Sequence, residues 1–242
     1  GGQDIIQGGN PVTGNRIIRE GEAINSFYGY IQLGTWNTDE ADQAETYNRL
    51  PGDIKYDDLN SDGAINDQDR VIIGNGLPDG YGSLINTLSY KNFELVVDVQ
   101  FMYGNDVSYG TKSTSQDRTG ITNVFSDVLN AWTPENQDTF VPEIRPTAGY
   151  RDRLTSTGRI YDGSFIRGRN ILLAYNVPYN TVSRWGISNI RVHASIQNFF
   201  LLTDYPGYDP EVSAVAENFA QGVDLYSYPK PRVYQLGISI GL

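Results

Sequence analysis

Five oxygen-bearing positions fall at metal-loop spacing in "DDLNSDGAINDQD" (57–69). Counted from Asp58, the side chains of Asp58, Asn60 and Asp62 take positions 1, 3 and 5, the Ala64 carbonyl position 7 and Asp69 position 12. Gly63 stands at position 6, where a calcium loop turns sharply, and Asn66 stands at position 9, a ligand directly or through a water. Calcium takes six to eight oxygens. The expected ligand set is therefore Asp58, Asn60, Asp62, Ala64 and Asp69 around a structural calcium ion.

Position 12 is Asp where a sensor loop has Glu, and that shorter arm is more like a dockerin-type loop. No long amphipathic helix flanks the stretch, so a loop staple is expected instead of a helix-opening sensor. Ile65 would pin the loop against apolar neighbours. An Asx-turn loop that needs no ion is the competing reading of the same residues.

Other chemistry is sparse. Asp209, Glu211 and Glu217 share one stretch, and Asp39, Glu40, Asp42 and Glu45 another. A glycosidase needs two carboxylates at a defined separation, but 29 acidic residues in 242 bring such groups together by chance. There is no Cys, which removes disulfides, thiolate nucleophiles and Cys zinc sites, and the single His193 rules out a multi-His metal site. His193 sits between Arg191 and Ser195 in an alternating segment and reads as structural. No catalytic residue is assigned, and an enzyme is not expected. The net charge of −11 argues against nucleic acid, whose phosphates demand clustered Lys and Arg. Tyr and Trp of the loops, in "SFYGY" (26–30), Trp36, Tyr103, Tyr109, Tyr205 and Tyr208, have the chemistry to stack on sugars.

The elements that carry these residues read as all-β. Helical periodicity is confined to 123–132, "NVFSDVLNAW", and to a shorter patch near 39–49. "FELVVDVQFMY" (93–103) places Phe93, Leu95, Val97, Val99, Phe101 and Tyr103 on one face, and Glu94, Asp98 and Gln100 on the other. "SLINTLSY" (83–90) aligns Leu84, Leu88 and Tyr90. Only Lys91 and Asn92 intervene, the length of a tight hairpin, so Tyr90 and Phe93 are predicted partners. "NILLAYNV" (170–177) aligns Ile171, Leu173, Tyr175 and Val177. "IRVHASIQNFFL" (190–201) sets Ile190, Val192, Ala194, Ile196 and Phe200 against Arg191, His193, Ser195 and Gln197. "RVYQLGISIGL" (232–242) sets Tyr234, Leu236, Ile238, Ile240 and Leu242 against Gln235 and Ser239.

Connectors of two residues (91–92) and about 12 (178–189) alternate with stretches of about 60 (104–164) and about 28 (203–230). Short turns at one end and long loops at the other characterise outer-membrane barrels. Tyr90, Phe93 and Tyr175 fall near the short-turn end, and Phe101, Tyr103, Phe200 and Tyr234 near the other, as two aromatic girdles would. No apolar run reaches the ~18 residues of a membrane helix. A soluble β-sandwich shares the same alternation and is the alternative.

Together these segments resemble the SusC-like TonB-dependent outer-membrane transporters (SusC/RagA family) at their C-terminal end. The resemblance is carried in order by "EGEAINSFYGY" (20–30), "PGDIKYDDLNSDGAINDQDRVIIGNGLPD" (51–79), "LSYKNFELVVDVQFMYGND" (88–106), "AWTPEN" (131–136), "DGSFIRGRNILLAYNVP" (162–178), "IRVHASIQNFFLLTDYPGYDPEV" (190–212) and "YPKPRVYQLGISIGL" (228–242). It implies the bacterial outer membrane and a transmembrane antiparallel barrel of about 22 strands around a plug. It also implies import of oligosaccharides or peptides driven by TonB, and a SusD-like surface lipoprotein as partner.

Five strands cannot close such a barrel. The chain is expected to be a fragment, completed by the rest of the barrel in the same or another chain. Residues 1–80 would form an extracellular loop region containing the calcium-like loop 58–69. Residues 81–242 would supply the five C-terminal strands with extracellular loops 104–164 and 203–230. The segment ending at Leu242 resembles the family's C-terminal insertion signal, although an aromatic is usual there. Phe93, Leu95, Val97, Val99, Ile171, Leu173, Val192, Ile196, Leu236 and Ile238 are predicted to face lipid. The rival function is a soluble, calcium-stapled glycan-binding β-module, which would bury these ten in a core.

Overall fold

The computed structural model describes residues 4–7, 15–24, 26–115, 123–145, 154–212 and 221–242. In chain order the strands are β1 (Ile5–Gln7), β2 (Asn15–Ile18), β3 (Ser26–Gly29), β4 (Gln32–Thr35), β5 (Ile54–Tyr56), β6 (Val71–Asn75), β7 (Gly80–Tyr90) and β8 (Phe93–Tyr103). They continue with β9 (Asp106–Tyr109), β10 (Ile160–Asp162), β11 (Phe165–Asn176), β12 (Asn189–Thr203), β13 (Val223–Asp224) and β14 (Val233–Gly241). Three short helices, α1 (Ala41–Thr46), α2 (Gly110–Ser115) and α3 (Tyr179–Val182), interrupt them.

Period-two alternation produces the long strands, which gather in one compact unit formed by Pro78–Gly104, Gly163–Pro210 and Tyr228–Leu242. Their order in the sheet is β14-β12-β11-β8-β7, each antiparallel to its neighbour. Chain neighbours are therefore sheet neighbours throughout, an up-and-down meander. Tyr90 pairs with Phe93 as the hairpin predicts, and Lys91 takes φ 54° to make the turn. β11 starts at Phe165, earlier than the apolar alternation indicates, because the register shifts between Gly168 and Asn170. Any side chain at position 168 would run into the rings of Phe199 and Phe200. The sheet is open: among the described residues, β7 and β14 are its edges and it does not close.

The second unit draws on the described parts of Gly1–Leu77, Asn105–Asp162 and Glu211–Ser227. Its strands are shorter and form three small sheets, β1-β2-β3-β6, β4-β5 and β10-β9-β13. Tyr30, Ile54 and Tyr56 make a buried cluster on which Ile65 and Leu154 pack. Trp36 stacks on Tyr47 with ring centroids 5.6 Å apart, and the Lys55 ammonium lies 4.4 Å from the Trp36 ring. Lys55 also pairs with Glu40 at 2.5 Å, and Arg145 bridges Asp53 and Glu143.

Helical expectations met opposite fates. Near 39–49, a 3-10 turn Thr38–Glu40 leads into α1, and the Glu40 carboxylate accepts from the Asn37 N–H as a capping box. Over 123–132 only a 3-10 turn, Ser126–Asn130, forms. Leu129 there is 91% exposed, so the segment buries no apolar stripe to pay for a longer helix.

Candidate functional site

The long sheet sorts its side chains by face. Pairing lines up Leu88, Leu95, Leu173, Ala194 and Leu236 across all five strands. The next row on that face is Tyr90, Phe93, Tyr175, Val192 and Ile238, with Phe93 and Tyr175 rings 4.8 Å apart. On the opposite face the corresponding rows contain Glu94, His193, Ser195, Gln235, Asp98, Asn170 and Gln197. Gly237 lies against the His193 ring and leaves the space that the imidazole fills.

None of the ten positions predicted to face lipid is buried. Leu236 is 88% exposed, Ile238 67% and Leu173 50%. A soluble module would have to hide them in a core, because an exposed apolar band of this extent marks an interaction surface. An 11-residue strand such as β8 runs roughly 33 Å, or about 25 Å along the membrane normal at the ~40° tilt of barrel strands, matching the ~25 Å apolar band of an outer-membrane barrel.

The polar face is knit by charge. Arg191 of β12 reaches over β11 to Glu94 of β8, with Nη2 2.7 Å from Oε1. Toward the far end of the strands, Arg167 donates to Asp209 at 2.5 Å, and both side chains are 4% exposed. Asp209 also accepts from the Lys230 N–H. Phe165 and Tyr205 are buried in the same unit, so the segment after β12 is fastened, not free.

In the loop 58–69 the structure gathers the spaced residues by hydrogen bonds. Asp58 accepts from the Asp62 and Gly63 N–H groups at 3.2 and 2.8 Å, and from the Tyr47 hydroxyl at 3.1 Å. Asn60 Oδ1 accepts from the Asp62 N–H, and Asp62 Oδ1 from the Ala64 N–H. Asp69, fully buried, accepts from the Leu59 and Asn66 N–H groups. Gly63 takes φ 82°, the left-handed turn that position 6 demands. Hydrogen bonds from Asn60 and Ala64 and from Asn66 Nδ2 hold the Asp62 carboxyl below the usual range. Burial and the neighbouring Asp58 raise the Tyr47 phenol.

The donor set suits calcium in kind: three carboxylates, an amide oxygen and a carbonyl. In this conformation Asn60 Nδ2 and Asn66 Nδ2 both donate to Asp62 Oδ2. A cation would have to displace those two amides. Among the described residues no three His, Cys, Asp or Glu side chains converge on a metal position.

The remaining candidates separate. Phe27, Tyr28, Tyr30, Trp36, Tyr109 and Tyr205 are buried and serve packing, which leaves Tyr103 and Tyr208 exposed. Glu40 is engaged by Lys55 and a cap, and Asp209 by Arg167. Glu217 lies outside the described residues.

Comparison with known proteins agrees with this two-faced wall. No family model matches the chain. TonB-dependent receptor P3 of Formosa agariphila is 35% identical over 233 residues, which is 93% of this chain and 23% of that protein. TonB-dependent receptor SusC of Bacteroides thetaiotaomicron is 28% identical over 241 residues, 99% of this chain and 21% of the relative. Among solved structures, that of the RagAB peptide transporter superposes with a TM-score of 0.74 at 22% identity, covering 98% of this chain and 24% of that one. The fold is thus an open segment of a large β-barrel wall. By its homologues the chain is identified as part of a SusC-like TonB-dependent receptor, and it spans about a quarter of the length of the curated relatives it matches.

Proposed function

We propose that this chain forms part of the wall of an outer-membrane importer energised through TonB. The carrying observation is the division of one five-stranded meander into a continuous exposed apolar face and a charged face. In the complete receptor the apolar face meets lipid. The Glu94–Arg191 face lines the interior through which oligosaccharides or peptides pass. The edges β7 and β14 pair with the remaining strands, because lipid leaves no water to satisfy their backbone. A SusD-like lipoprotein is the proposed partner at the long-loop side. Uptake of labelled oligosaccharide and peptide mixtures by cells with and without the full-length receptor tests this. Receptor-dependent uptake that an uncoupler abolishes is expected. Equal uptake by both strains for every mixture would overturn it.

Calcium at residues 58–69 belongs to the same proposal, as a staple of the extracellular loop region. What supports it is the spacing of Asp58, Asn60, Asp62, Ala64 and Asp69 and the left-handed Gly63. Calorimetric titration of the chelated full-length receptor should give one calcium-binding event that Asp58→Asn removes. An identical titration for both forms would dismiss the staple.

A further inference from the structure

The connections at the short-turn end of the sheet carry basic residues and no acidic ones. Net charge overall is −11. Yet the two connections at this end, 91–92 and 177–188, contain Lys91 and Arg184 and no Asp or Glu. Both cations are exposed, and neither forms an ion pair among the described residues. Each lies over an aromatic ring: Lys91 Nζ is 5.3 Å from the Tyr90 centroid, and Arg184 Cζ 4.9 Å from that of Trp185.

The first connection is tied to the end of β11, from which the second one starts. Asn176 donates its N–H to the Asn92 carbonyl at 2.8 Å, and Asn92 Nδ2 donates to the Asn176 carbonyl at 2.7 Å. α3 and the 3-10 turn Ser183–Trp185 follow at once, and Gly186 at φ 70° ends them. Val182 is buried and roots this turn, while Trp185 and Tyr179 stay 61% and 64% exposed. Tyr90, Phe93 and Tyr175 form an aromatic row on the apolar face where the strands reach these connections. Amphipathic rings flanked by unpaired cations, directly beyond an apolar band, have the chemistry of a membrane interface.

We infer that Lys91 and Arg184 bind the phosphate of an anionic phospholipid in the leaflet bordering the short turns, with Tyr90 and Trp185 seated at headgroup depth. The guanidinium supplies a planar fork for two phosphate oxygens and the ammonium a second point charge. The cations also lie where ring faces reinforce them. This rests on the membrane-wall reading above.

The test is native mass spectrometry of the full-length receptor with equal amounts of phosphatidylglycerol and phosphatidylethanolamine. The wild type should retain phosphatidylglycerol preferentially. Lys91→Asn with Arg184→Gln should cut that preference about tenfold or more, since each basic residue at the surface contributes comparably. Asn suits the left-handed backbone at position 91. Equal preference in wild type and variant overturns the inference. If the variant fails to fold, the wild type decides alone, because equal retention of both lipids has the same consequence. Brominated-lipid quenching of a fluorophore at Leu236→Cys separates the two readings. No quenching there defeats the membrane wall itself, whereas quenching with unchanged lipid preference defeats only the phosphate site.

Discussion

Arg191 holds Glu94 across an intervening strand, with Nη1 3.3 Å from Oε2 as well as Nη2 2.7 Å from Oε1. Both strands pair with β11, so the contact spans three strands of the polar face.

Exchange of the two charges tests that geometry. Glu94→Arg alone places like charges together and should lower the temperature at which the full-length barrel unfolds on heated gels. The double variant Glu94→Arg with Arg191→Glu should restore most of the loss. The coupling is expected to be modest, because both side chains are about a third exposed. A double variant as unstable as the single one would show that the pair is not a direct contact.

The Arg167–Asp209 pair predicts a larger effect. Breaking a buried ion pair by removing one partner is strongly destabilising, by about 3–5 kcal/mol. Asp209→Asn should therefore release the segment 204–210, seen as faster cleavage there in limited proteolysis. Arg167→Met combined with Asp209→Leu should slow it again. The sequence singled out Asp209 among grouped carboxylates, but the separation of 42 residues from Arg167 hid the pairing.

What could be read in advance follows the range of the interactions. The β7–β8 register was legible because alternation and a two-residue turn fix it locally. Phe200 pairs with Gly168 beyond a register shift, and that shift at Gly168–Asn170 hid the first residues of β11. Strands of two to five residues such as β13 and β9 escaped notice, because Val223 pairs in parallel with Ser108, far off in sequence. In the calcium-like loop, spacing indicated Asp58, Asp62, Asp69 and the turn at Gly63. It did not indicate Tyr47, whose hydroxyl reaches Asp58 from α1's C-terminal end.

Acid should loosen that loop late. The Asp62 carboxyl titrates below its ordinary 3.8 in the folded chain. Its contribution to order is thus complete above the unfolded value and lost as pH falls through the lower folded one. Amide exchange of Asp62–Asn66 backbone groups, corrected for the intrinsic pH dependence, should stay slow until pH drops below 3.8. Asp62→Asn should remove that acid-dependent step, whereas an unchanged profile would place its cause elsewhere.

The central claim is that one face of the long sheet meets lipid and the other water. A cysteine scan of β8 measures this most directly, and these 242 residues contribute no Cys of their own. Single cysteines at 93–100 in the full-length receptor, in membranes, are treated with a charged, membrane-impermeant thiol reagent. The account predicts period-two labelling, with Glu94, Val96, Asp98 and Gln100 positions reactive and Phe93, Leu95, Val97 and Val99 positions protected. Uniform labelling, or protection on the Glu94 face with reactivity on the Phe93 face, would contradict it.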